Sequence, residues 1–208
     1  LYEGAKNANN LSDDSVDRII GSALFVRAFT YFYLVNLYNS VPLIITTNYQ
    51  DNAGVQEYDK EGIYQQILID LEQASDLLDP SYPDQEKTQP NRFAALAMLA
   101  RVHLFLDNYQ EAIEYSNQVI SNTTNYELLE DINEVFLANS QEAIWQISPI
   151  GAGSGQYQTR DGNLLIKTPT SSTPAALQED FVSLFSDSDL RGIYWIGHIE
   201  INADTVYF

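Results

Sequence analysis

Two short polar segments carry the side chains best suited to holding a ligand. They are Thr47-Asn48-Tyr49-Gln50-Asp51 and Gln156-Tyr157-Gln158-Thr159-Arg160-Asp161. Each sets a tyrosine ring among amides and a carboxylate, and the second adds a guanidinium. A tyrosine face packs against a ring-shaped, weakly polar partner, while amides, carboxylates and guanidinium groups satisfy its hydroxyls. The candidate contacts are Asn48, Tyr49 and Asp51 in the first segment, and Tyr157, Gln158 and Arg160 in the second. Both segments also read as ordinary exposed loops, so composition nominates them and goes no further.

Bond-making chemistry has little to draw on. The two histidines, His103 and His198, fall in a predicted helix and a predicted strand without ligand-like spacing. No GxSxG, Walker loop, HExxH or cysteine pair occurs. The run Gly151 to Gln156 lacks the following helix and the Lys with Ser or Thr that a phosphate loop needs, and it reads as a flexible loop. Acids are numerous, but a glycosidase pair is defined by a separation of about 5–9.5 Å in a cleft, which counting does not report. Asp70, Glu72, Glu111 and Glu114 read as solvated helix faces. Asp13-Asp14 and Asp187-Ser188-Asp189 do not follow calcium-loop spacing. The residues thus offer little for an enzyme, and no catalytic residue, metal or cofactor is expected.

Composition narrows the partners. Ten basic against 29 acidic residues give a net charge of −19 over 208 residues. That argues against nucleic acid, which needs clustered Lys and Arg, and against an anionic membrane surface. Neutral ligands and cations remain compatible. A hydrophobic share of 45% is that of a globular chain, and the absence of cysteine excludes disulfides and thiolate chemistry.

The elements that must position these loops are mostly helical. Gly21 to Leu43 is apolar almost all the way round, which fits a membrane span or a buried helix. Arg27, Thr30, Asn36 and the tyrosines interrupt it, so the buried helix is expected, with Arg27 paired to an acid or to carbonyls. Ser12 or Asp13 caps this helix, which runs to about Tyr38 and stops at Asn39 and Pro42. Ile44 to Tyr58 reads as a polar loop. Asp59 caps a second helix, Lys60 to Leu78, and a three-proline loop follows. Helices over about Asn91–Leu106 and Tyr109–Ser121 are joined by Asp107-Asn108 as an antiparallel pair, with Asn108 suited to a left-handed turn. The last third shifts: a helical turn over Ile132–Leu137, a strand Glu142–Ile147 with Trp145 in the core, and a helix Ala175–Phe185 behind Pro174. Two strands, Ile193–Ile201 and Thr205–Phe208, end the chain, and Trp195 faces either way. The helical spacing of Leu1, Ala5, Ala8 and Leu11 at one end, and the strand-like DTVYF at the other, read as a segment of a longer protein.

Residues 93–126 fit one 34-residue tetratricopeptide unit, with Leu96, Leu99, Tyr109 and Ala112 at packing positions. Ala100, His103 and Thr124 depart from its usual glycine, tyrosine and proline. One such unit must stack on neighbours, here the two preceding helices. The fold class expected is mainly α, a tetratricopeptide-like helical repeat or α-α superhelix over 1–126, with a small β component in a mixed segment over 127–208.

The order of blocks resembles the SusD/RagB family of outer-membrane nutrient-binding lipoproteins. It begins with Leu1-Tyr2 and Ala8-Asn9-Asn10. Arg27-Ala28-Phe29, Tyr31-Phe32, Leu34-Val35, Leu37-Tyr38 and Val41-Pro42-Leu43 follow. Then come IYQQILIDLEQASDLL, the repeat, QEAIWQI, and a closing turn with Asp189 and Arg191. Asn39-Ser40 replaces a common Gly-Asp. The resemblance implies a cell-surface, glycan-binding subunit that captures oligo- or polysaccharide for a TonB-dependent outer-membrane transporter. It implies a lipid anchor on a protein about twice this length, and ligand contacts in variable loops near the two nominated segments. The alternative is a tetratricopeptide-type scaffold for protein partners.

Overall fold

The computed structural model describes residues 1–83, 86–138, 140–148, 164–166, 175–201 and 204–208. They fall into two compact units, Leu1–Leu128 with Gln141–Gln146, and Leu129–Ser140 with Ile147–Phe208.

The first unit is helical. A five-residue helix, α1 (Tyr2–Lys6), precedes α2 (Asp13–Tyr38), whose cap is Ser12: its side chain accepts from the Ser15 N–H. Asp13 and Asp14 lie in the first turn, where a helix dipole favours negative charge. By length and apolar content α2 would suffice to cross a membrane. Its buried positions Gly21, Leu24, Phe25, Ala28, Phe32 and Val35 recur at helical spacing, however, and pack against the helix over Lys60–Leu77. That stripe makes it a core helix. Asn39, at φ 69°, ends it.

Two-residue strands β1 (Val41–Pro42) and β2 (Glu57–Tyr58) pair antiparallel and close the intervening loop at its root. Inside that loop lies a one-turn helix, α3 (Tyr49–Asn52). The segment expected as plain loop thus has a tied base and a helical tip. Asp59 caps α4 (Lys60–Leu77) by accepting from the Gly62 N–H at 2.9 Å. Helix α2 crosses the end of α4 closely at Gly21, where an added Cβ would lie 2.9 Å from Leu78 Cγ.

Asn91 caps α5 (Arg92–Phe105). Seven of its residues, from Ala94 to His103, are buried, because α5 is flanked by α4 and by α6 (Tyr109–Ile120). The α5–α6 turn corrects one expectation: the left-handed residue is Asp107, at φ 59°, and Asn108 has φ −83°. The hydrogen bonds explain this. Asn108 N–H reaches the His103 carbonyl at 2.9 Å and Asp107 N–H the Leu104 carbonyl at 3.3 Å. This is a Schellman closure, in which the residue just past the C-cap takes the left-handed conformation.

Glu142–Ile147 is not a strand. The segment joins no sheet ladder and runs beside the proline-rich loop, where Gln146 N–H donates to the Lys87 carbonyl at 2.9 Å. Lys87 Nζ donates to the Ala143 carbonyl and the Trp145 indole to the Thr88 carbonyl. This backbone bond and these two side-chain anchors stand in place of a ladder, a pattern invisible to periodicity. Trp145 packs edge-on to Phe25 and Phe29 of α2, at 5.0 and 5.1 Å between ring centroids, in the core as expected.

In the second unit, residues 132–138 form successive turns without a helix. Helix α7 is only Glu179–Val182, because Leu177 is held extended, its N–H on the Tyr207 carbonyl; Pro174 lies outside the described residues. Asp189 caps α8 (Leu190–Tyr194), so Ile193 and Tyr194 are helical where a strand was expected. Strands β3 (His198–Ile201) and β4 (Asp204–Tyr207) make the expected hairpin, with His198 opposite Tyr207 and Ile201 opposite Asp204. Trp195 is 44% exposed, its indole N–H on the Ile132 carbonyl and its ring against Phe136.

Candidate ligand-binding site

The first nominated segment is built by the turn that ends α2. After Pro42 the chain runs extended along α2, and Tyr31 fixes it there. The Tyr31 hydroxyl accepts the Ile44 N–H at 2.8 Å and donates to the Pro42 carbonyl at 3.2 Å. Three residues beyond Ile44, Glu3 of α1 takes both the backbone N–H and the hydroxyl of Thr47. These hydrogen bonds hold the Glu3 carboxyl below its ordinary range. Asn52 Nδ2 closes the loop on the Thr46 carbonyl at 2.9 Å. Between α1, α2 and the Ile44–Thr47 stretch runs an open, mainly apolar groove of about 570 Å³.

At the tip, Asn48 caps α3, its Oδ1 accepting from the Gln50 N–H at 3.0 Å. Its amide also donates to Asp51 Oδ2 at 2.8 Å. Asn48, Tyr49 and Asp51 are therefore brought together on one helical turn, and the Tyr49 ring projects outward, 81% exposed. The other three predicted contacts, Tyr157, Gln158 and Arg160, lie outside the described residues.

Arg27 lines the groove floor and is paired, as its position demanded. Its Nε and Nη2 reach Asp70 Oδ2 and Oδ1 of α4 at 2.6 and 2.7 Å. Asp70 is 1% exposed, which corrects its reading as a solvated acid; Glu72, Glu111 and Glu114 are exposed as expected. Gln66 donates to Asp70 Oδ1 at 2.7 Å, and the Tyr2 ring lies 6.0 Å from the Arg27 guanidinium. Charge-assisted hydrogen bonds with Asp70 strengthen the protonated form of Arg27. Periodicity hid Asp70, yet it falls one turn from Ile67 and Ala74 on the buried face of α4. Glu3 carried no signal in the sequence, because its role depends on a loop 44 residues away.

His103 is buried, stacked on Tyr115 at 5.5 Å and 3.3 Å from the Asn108 amide. His198 is an exposed strand residue beside Tyr207. Arg191 turns back onto Asp189 with two side-chain bonds, forming the expected Asp-x-Arg turn.

Comparison with known proteins decides the family. Residues 5–104 match the family described as SusD-like, starch-binding associating with outer membrane. A SusD-like protein of Formosa agariphila is 30% identical over 170 residues, 74% of this chain and 33% of its own length. Residues 5–104 are SusD-like. A second SusD-like protein of the same organism gives 24% identity over 31% of its length, so the chain spans about a third of the curated relatives it matches. Among solved structures, a laminarin-binding SusD-like protein has 25% identity and a TM-score of 0.64, covering 69% of this chain and 33% of that one. A SusD superfamily protein of Parabacteroides distasonis has 20% identity and a TM-score of 0.79, covering 99% and 51%. It shows that the mainly helical fold is shared. SusD-like proteins bind carbohydrate and are not enzymes. The SusD-like segment 5–104 contains α3 and the α2 and Ile44–Thr47 sides of the groove, while Leu1, Tyr2 and Glu3 precede it.

Proposed function

We propose that the protein carrying this chain is a cell-surface glycan-capture subunit, lipid-anchored in the outer membrane, which passes oligo- or polysaccharide to a TonB-dependent transporter. The observation that carries the reading is the SusD-like match over residues 5–104 together with 30% identity to a SusD-like relative. Within it, Asn48, Tyr49 and Asp51 on α3 form one contact surface, and Tyr157, Gln158 and Arg160 a second. Support for the first comes from its geometry: an exposed ring beside an amide and a carboxylate, on a base tied at Thr46 and Thr47. Rigid presentation of this kind limits the ordering entropy that binding must overcome. The helical stretch 1–126 serves as scaffold and 127–208 as a mixed segment of the same protein.

The test is affinity electrophoresis of the complete protein in gels carrying single polysaccharides, laminarin first because one solved relative binds it. Retardation by at least one polymer, without release of reducing ends, is the expected result. Migration unchanged by every polymer tried, or release of reducing ends, would sink the reading.

A further inference from the structure

The glycan-capture reading leaves open which chemical class of glycan the α3 surface accepts, and this inference rests on that reading. From Ile44 to Asp59 the chain has three carboxylates, Asp51, Glu57 and Asp59, and no lysine or arginine. A fourth, Glu3, is bound into the base of the same loop. The arginine that lines the groove, Arg27, is already neutralised by a bidentate carboxylate. Asp51 uses Oδ2 for Asn48, while no described residue donates to its Oδ1.

We infer that the α3 surface selects neutral glycans and rejects anionic ones. Tyr49 offers its face to a sugar ring, and Asp51 Oδ1 accepts a hydroxyl hydrogen from that ring. A uronate or sulfate ester brings acceptors where acceptors already stand, and brings like charge. In dilute salt the repulsion reaches far, with a Debye length of about 30 Å at 0.01 M ionic strength, against about 3 Å at 1 M. The chain as a whole, at −19, adds to the repulsion. Specificity here comes from an unfavourable encounter with the wrong ligand as much as from contacts with the right one.

The experiment uses the complete protein with two neutral polymers, laminarin and pullulan, and two anionic ones, polygalacturonate and carrageenan. Each is run at 10 mM and 500 mM NaCl, with the wild type and with Tyr49→Ala. Tyr49 is almost fully exposed, so the variant is expected to keep its fold, which circular dichroism checks. The expected result is retardation by a neutral polymer, weakened roughly tenfold by Tyr49→Ala and changed less than about twofold by salt. No retardation by either anionic polymer is expected at 10 mM. Tyr49-dependent retardation by an anionic polymer would overturn the inference and leave glycan capture standing. Neutral binding indifferent to Tyr49→Ala would also overturn it. Failure of all four polymers at both salt concentrations would remove the capture reading itself, and this inference with it.

Discussion

Asp70 holds Arg27 with both carboxylate oxygens, 43 residues apart in the chain and between the two helices that share the largest packed face. The pair sits where α2, α4 and the ring of Tyr2 meet, so one ion pair orients the groove floor and the helix stack together. Gln66 satisfies a further acceptor site on Asp70, which is what a buried carboxylate needs.

Removing one partner is costly because the other charge stays behind. Asp70→Ala is expected to destabilise the chain by about 3–5 kcal/mol, the range for breaking a buried pair. The double variant Arg27→Met with Asp70→Leu should recover most of that loss. Urea unfolding of the wild type, Asp70→Ala and the double variant measures the loss and its recovery. A loss below about 1 kcal/mol for Asp70→Ala would place the pair among surface bridges.

Gly21 is a packing residue. Alanine would raise helix propensity by about 1 kcal/mol. Its Cβ, however, meets Leu78 Cγ at 2.9 Å and Leu77 Cβ at 3.3 Å, and Leu78 is itself fully buried. Overpacking of this kind costs about 1–3 kcal/mol. Gly21→Ala should therefore leave the chain less stable by about 1 kcal/mol, read from the urea midpoint at unchanged m-value.

The Glu3 clamp has a pH signature. Hydrogen bonds from Thr47 lower the folded pKa below the ordinary 4.5. A lowered carboxyl pKa stabilises the clamped state fully above the unfolded value and loses that contribution as pH falls through the folded value. The loop root is expected to stay tied at neutral pH and to loosen only below the usual glutamate range. The Thr47 amide shift, followed by NMR titration, should report a midpoint under 4.5, and Glu3→Gln should abolish that titration.

Asp107 occupies a left-handed site that glycine fills without steric cost. Asp107→Gly is expected to stabilise the α5–α6 turn by about 0.5 kcal/mol, after the loss of the Tyr109 hydroxyl bond to its carboxylate. Thermal unfolding gives the sign. A fall in Tm would mean that the Tyr109 bond outweighs the backbone strain.

Helix caps and apolar spacing carried most of the fold into the sequence. Ser12, Asp59 and Asn91 each stand where a cap was expected or adjoins an expected start, and Leu96, Leu99 and Ala112 are buried where packing positions were assigned. The failures share a cause. Trp145 was legible as core but its segment was not, because the bonds that hold it come from Lys87 and Thr88, nearly 60 residues away. Ile193 and Tyr194 look like strand by composition, yet the Asp189 cap overrides that local preference. At the candidate site, composition found Asn48, Tyr49 and Asp51. It did not find the residues that fix their base, Glu3 and Tyr31, since those are tertiary partners.

The seating of Trp145 on Phe25 and Phe29 has a consequence for synthesis. More than a hundred residues separate the two sides of that contact in the chain. At about 5–20 residues per second, the ribosome exposes α2 on the order of ten seconds before the ring that covers it. For that interval the phenylalanine face lacks the ring that covers it in the folded chain.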